Sequence, residues 1–112
     1  MAITDKHVKP AISPEWQNAI NVANASTGTV ATAGFTSCTH NGTQALSLAD
    51  GHYNGQMAVV YAATAHNKTI TPASILGNSS ATVIPSKACA IFVWYDDGST
   101  KGWAHILGAA GS

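Results

Sequence analysis

Ala88-Cys89-Ala90-Ile91-Phe92-Val93-Trp94-Tyr95, then Asp96-Asp97-Gly98-Ser99-Thr100-Lys101, then Gly102-Trp103-Ala104-His105-Ile106-Leu107: two apolar runs flank a loop built around Asp-Gly. Runs of this length, rich in β-branched and aromatic residues, read as strands, and a loop of this size joins antiparallel neighbours. The segment is therefore expected to be the central hairpin of a sheet. Successive side chains of a strand point to opposite faces. Cys89, Ile91, Val93 and Tyr95 share one face and Ala88, Ala90, Phe92 and Trp94 the other, and both faces are apolar. One core covers one face; the second cover is expected from a neighbouring subunit.

Upstream of this hairpin, short β-branched runs are punctuated by Asn41-Gly42, Asp50-Gly51 and Asn54-Gly55, which signal hairpins and strand ends. Strands are expected over residues 29–33, 35–40, 43–48, 56–62, 69–71 and 81–84, followed by the two of the hairpin. The fold class is all-β, a sandwich or barrel-like module over residues 29–112.

Residues 1–28 read differently. Ile3, Val8 and Ile12 follow neither period, and Pro10 favours an extended path. Ser13-Pro14-Glu15 is a helix start, with serine as cap and proline tolerated at the first position. Trp16, Ala19, Ile20 and Ala23 then form one apolar side at helical spacing. The expectation is a short helix over about residues 14–24 and a small polar linker over 24–28. So short a helix is marginal alone and must pack on something. Ile3, Val8, Ile12, Trp16 and Ile20 either fold back on their own sheet or lie across a partner as a docking strap, and the polar linker favours the strap.

Composition narrows the function classes. The chain has 112 residues, 46% hydrophobic and 9% charged, with no net charge; ordinary soluble domains are roughly a quarter charged. Some of the surface is expected to face protein. The five basic residues are all lysines, scattered from Lys6 to Lys101, which leaves no stripe to neutralise phosphates, and nucleic acid is not expected as a partner. The apolar runs fall short of the ~20 residues of a membrane helix, and charged residues stand where a signal peptide would be apolar. Synthesis in the cytoplasm and no membrane partner are the expectations. Cys38 and Cys89 read as free thiols, with a bridge left open.

Chemistry-bearing patterns are not found. His7, His40, His52, His66 and His105 show no metal-ligand spacing, and no metal or cofactor is expected. No nucleophile motif accompanies the serines. Asp50, Asp96 and Asp97 sit in turn sequences and Asp5 and Glu15 in the arm, so turn formation accounts for the former without catalysis. The chain is read as a non-enzyme. The sequons at Asn24, Asn41, Asn67 and Asn78 reflect a composition rich in Asn, Ser and Thr. Trp94 and Trp103 are expected to pack in the core or a subunit interface; the rival reading has an exposed indole holding a sugar ring, beside a candidate ligand-facing set of His52, His66 and Asp97.

One stretch carries a resemblance. Thr43-Gln44-Ala45-Leu46-Ser47-Leu48-Ala49-Asp50-Gly51-His52-Tyr53-Asn54-Gly55-Gln56 leads into an apolar strand, then Thr69-Ile70-Thr71-Pro72-Ala73-Ser74-Ile75-Leu76-Gly77, Thr82-Val83-Ile84, an apolar strand ending in Trp94, and Gly102-Trp103. Over about residues 43–107 this order of elements resembles a small β module of tailed-phage virion proteins: head fibres, capsid decoration proteins and the ends of tail fibres. The resemblance implies a symmetric, usually trimeric, knob on a virus particle. Leu46, Leu48, Gly51, Tyr53, Gly55, Gln56, Pro72, Gly77 and Trp103 then become architectural residues, and Leu46, Leu48, Ile91, Phe92, Val93, Trp94 and Trp103 the expected core and trimer positions. The chain has no shaft or repeat, which is closer to a decoration protein than to a long fibre. The expected location is the capsid surface, the expected partners are copies of itself and the phage major capsid protein, and the alternative is a fibre tip that binds a host-surface glycan.

Overall fold

Alternation of buried and exposed side chains sets the architecture. In β4 (Gln44–Leu48) Gln44, Leu46 and Leu48 are buried while Ala45 and Ser47 are exposed, and β5 (Met57–Ala62) buries Ala58, Val60 and Ala62. A period of two with one apolar side makes a strand that covers a core with one face. The computed structural model describes residues 20–77 and 81–107. These residues contain nine strands and no helix: β1 (Ile20–Ala23), β2 (Thr27–Thr29), β3 (Gly34–Cys38), β4, β5, β6 (Lys68–Pro72), β7 (Thr82–Ile84), β8 (Cys89–Asp96) and β9 (Lys101–Leu107).

Two sheets result, a five-stranded one in the order β1-β3-β5-β8-β9 and a four-stranded one in the order β2-β4-β6-β7. From β1 to β6 the chain alternates between the sheets, so each strand pairs in parallel with the strand two places on. This is a short parallel coil. It ends where β7 turns back on β6 and β8 and β9 add antiparallel strands beside β5. The inward side chains of both sheets form one core, which includes Leu46, Leu48, Val60, Ile70, Ile84, Phe92, Trp94 and Trp103. Each aromatic side chain buries on the order of 150–250 Å², roughly 4–6 kcal/mol of gross transfer free energy at about 25 cal/mol per Å².

The β8–β9 hairpin is in register as Trp94 opposite Trp103 and Asp96 opposite Lys101. The other turn dipeptides behave differently from expectation. Asn41-Gly42, Asp50-Gly51 and Asn54-Gly55 lie where the chain crosses from one sheet to the other, so they end strands without making hairpins. Turn chemistry reverses a chain locally, but it does not specify whether the next strand rejoins the same sheet.

The N-terminal expectations also change. Ile20–Ala23, read as the last turn of a helix, is strand β1, paired in parallel with β3 from Ile20 opposite Phe35 to Ala23 opposite Cys38. Two of the four residues on the expected helical face are alanines, a weak apolar signal, whereas β-branched Ile20 and Val22 suit a pleated edge. Thr27–Thr29, two of its three residues in the expected linker, is strand β2 beside β4. Residues 30–33, expected as strand, make the crossing between sheets: Ala31 N–H donates to Thr36 Oγ1 at 3.2 Å and Thr32 C=O accepts from Gln56 Nε2 at 2.6 Å. Both sheets therefore begin upstream of the boundary expected after residue 28. Ile3, Val8, Ile12 and Trp16, and the helix start at Ser13, lie outside the described residues.

Candidate functional site

Three buried polar side chains tie the crossings together. The Gln56 amide lies between strands, its Oε1 accepting from the His52 N–H (2.5 Å) and Tyr53 N–H (3.3 Å) while Nε2 reaches Thr32. Gln44 Nε2 donates to the carbonyls of Ala23 (3.2 Å) and Ala25 (2.5 Å). Lys68, fully buried, donates from Nζ to the carbonyls of His40 (2.7 Å) and Gly42 (2.8 Å). Burial pushes the Lys68 ammonium below its usual range, with nearby Cys38 opposing, and pushes the Cys38 thiol up, with Lys68 opposing. A buried donor that meets loop carbonyls replaces the water those carbonyls would otherwise hold. These residues position loops.

Trp94 and Trp103 belong to the core. They are 3% and 0% exposed, their rings meet edge to face at 5.3 Å, and Trp103 Nε1 donates to the Ala49 carbonyl at 2.9 Å. The rival reading, an exposed indole holding a sugar ring, is the one corrected: both rings are closed off. Gly51 lies against the Trp94 ring, where a Cβ would come within 2.5 Å of the ring, and a Cβ on Gly102 would meet the Ile75 backbone at 2.9 Å. Those two glycines allow the loop over Trp94 and residues 74–76 along β9 to close on the core.

His52, His66 and Asp97 do not converge. Because Met57 pairs with Val93 and Tyr61 with Cys89, the loop before β5 carries His52 at one end of the sheet and the loop after β5 carries His66 at the other. Asp97 is at the His52 end. There the Asn54 side chain bonds both ways to the Asp96 backbone, at 2.6 and 3.1 Å, joining the 51–55 turn to the 96–101 loop. Asp97 accepts from the Ser99 and Thr100 amides and the Tyr95 hydroxyl; the amides dominate in holding its carboxyl below the usual range, and the hydroxyl bond raises Tyr95. Lys101 pairs with Asp50 at 3.4 Å across the same end. Tyr53 (63% exposed) and Tyr95 (43%) are the large exposed side chains here.

The broader feature is a face. On the outside of the five-stranded sheet Phe35, Val59, Ile91 and Ile106 form one cross-strand row. Met57, Val93 and Ala104 form a second, and Ser37, Tyr61 and Cys89 a third. Phe35 and Tyr61 stack at 6.5 Å. None of these residues is charged, and each is exposed or half-buried. Ile91 and Val93 lie here, away from the core that holds Phe92 and Trp94. Cys89 lies on this face and Cys38 on the inner one, and both are free thiols. On the four-stranded sheet the outward rows are Thr27, Ala45, Thr69 and Val83, and Thr29, Ser47 and Thr71. Thr29 Oγ1 and Ser47 Oγ share a hydrogen bond of 2.9 Å.

Among the described residues no group of three His, Cys, Asp or Glu gathers as a metal site, and no helix is long and apolar enough to cross a membrane. Both apolar faces of β8 were legible from alternation alone. The loop-tying roles of Gln44 and Lys68 were missed, because a polar residue in a strand gives no sign of which side of the sheet it occupies. Comparison of the chain with protein-family models gives no match, and neither does comparison with curated proteins.

Proposed function

We propose that this chain is a structural virion protein, a capsid decoration or cement protein that projects a trimeric β knob and grips the phage major capsid protein through its N-terminal arm. The observation that carries the reading is the uncharged, apolar outer face of the five-stranded sheet on a body whose crossings are tied by buried Gln44, Gln56 and Lys68. A subunit so built contributes shape and contact area. Three arms on one knob give avidity without any one strong site.

The test is cosedimentation with particles assembled from the major capsid protein of the same virus. Deleting residues 1–19 is expected to abolish binding and leave the knob folded; the cut stops there because residues 20–23 are an edge strand. Full binding by the shortened chain sinks the proposal.

A second reading, a fibre tip that binds a host-surface glycan, is favoured by Tyr53 and Tyr95 beside Asp96 and Asp97 at one end of the sheet. It expects glycan-array binding that Tyr53→Ala removes without loss of fold.

A further inference from the structure

The outer face of the five-stranded sheet has the chemistry of an interior. Thr and Val serve strand formation comparably, and the other sheet uses threonine on its outer side, so strand formation did not require Val59, Ile91 and Val93 here. The ten outward residues of the three rows on this face, at about 4.8 Å between strands and about 6.8 Å between rows, span a projected area on the order of 330 Å². That is within the size range of the largest apolar patch on a typical monomer, roughly 300–600 Å², which is often functional.

Charge identifies the occupant. Residues 1–19 hold Asp5, Lys6, Lys9 and Glu15, four of the chain's ten charged residues, which a dry, uncharged face would leave unpaired. The same residues suit the arm assigned above to the capsid. A second copy meets the face with an identical apolar surface, and at a rotation axis identical residues face each other without like-charge repulsion. The charges nearest the face sit at its ends: Asp96, Asp97 and Lys101 at one, where Asp97 is held by turn amides and Lys101 by Asp50, and Lys87 at the other, where its Nζ donates to the Ala63 carbonyl at 2.8 Å.

We infer that copies of this chain meet through the outer faces of their five-stranded sheets, packed about a threefold axis with the threonine faces outward. The inference rests on the trimeric reading above and names its interface. Light scattering on a sizing column, with the full chain, tests it. The full chain is expected at the mass of three chains and Ile91→Lys at the mass of one, with near-ultraviolet dichroism of the buried tryptophans retained. Thr71→Lys, on the other sheet, is expected to keep the three-chain mass. Should Ile91→Lys fail to fold, Val59→Thr decides: it keeps a β-branched side chain and is expected to raise the concentration for half-dissociation about tenfold.

A three-chain mass retained by Ile91→Lys, or unchanged association of Val59→Thr, overturns the interface. A monomeric full chain, the outcome if residues 1–19 cover the face within one chain, overturns it as well. Capsid cosedimentation of the same samples separates the two claims. Three-chain particles that bind capsid despite Ile91→Lys leave the decoration role standing, whereas a full chain that neither associates nor binds removes both.

Discussion

The outward side of the four-stranded sheet carries five hydroxyl residues, Thr27, Thr29, Ser47, Thr69 and Thr71, beside Ala45 and Val83, and that of the five-stranded sheet carries Phe35, Val59, Tyr61, Ile91 and Val93. The two sheets share a core, a pleat and the same inward alternation. They differ in what the outside can offer water: a hydroxyl satisfies hydrogen bonds there and a methyl does not. The fold therefore needs one apolar side per sheet, and the second apolar side is the one that the proposed assembly would cover.

The largest contrast is expected across one strand. Phe92 and Ile91 are neighbours in β8 that face opposite ways. Phe92→Ala should cost about 3–5 kcal/mol through the cavity it leaves, at any protein concentration. Ile91→Ala should cost less, and its cost should grow with protein concentration because only the assembled state covers that face. Urea denaturation at two concentrations tenfold apart checks both, and a concentration-independent Ile91→Ala breaks the comparison.

Next is the inner side of the four-stranded sheet, where Lys68 replaces an apolar residue. Lys68→Met keeps the volume but leaves the His40 and Gly42 carbonyls without their donor, for a loss of about 2–4 kcal/mol. A neutral outcome in urea denaturation would show that water reaches those carbonyls.

Exchanging the chemistry of the two faces gives a smaller effect. Val59→Thr should cost about 1 kcal/mol in the assembled protein, whereas Thr71→Val should stay within about 0.5 kcal/mol. Equal costs would mean that both faces are wet.

The smallest effect is at the exposed hairpin loop. The Asp97 carboxyl, held by the Thr100 and Ser99 amides, lies below its ordinary value of 3.8. Its folded form thus keeps a charge that the unfolded chain neutralises as pH falls. The stability it adds is complete above the ordinary value and is lost as pH drops through the lower, folded one. Asp97→Asn should retain the turn and flatten that acid limb, seen as a smaller fall in Tm between about pH 6 and about pH 2.5.

Much of this was legible in the residues. Strands β3 to β9 were expected close to where they stand, because β-branched and aromatic runs bounded by Asn-Gly and Asp-Gly fix where a chain is extended and where it turns. Strands β1 and β2 were not. Edge strands of four and three residues carry too few periods of alternation to outweigh a helix start signal at Ser13-Pro14. The end cluster was half legible: Asp97-Gly98 marked its loop, but the Asn54 bonds to Asp96 that join it to the 51–55 turn span 42 residues and leave no local mark.

By itself the sequence determined an all-β module, the two faces of its longest strand, the two-sided apolar character of β8 and the low content of charge. Beyond the β8–β9 hairpin, tertiary structure alone decided which strands pair. The period of two says which way a side chain points, but parallel and antiparallel partners present the same alternation. The choice between them is made by the crossings, through contacts such as Gln56 with Thr32 and Lys68 with His40 that link residues 24 and 28 positions apart.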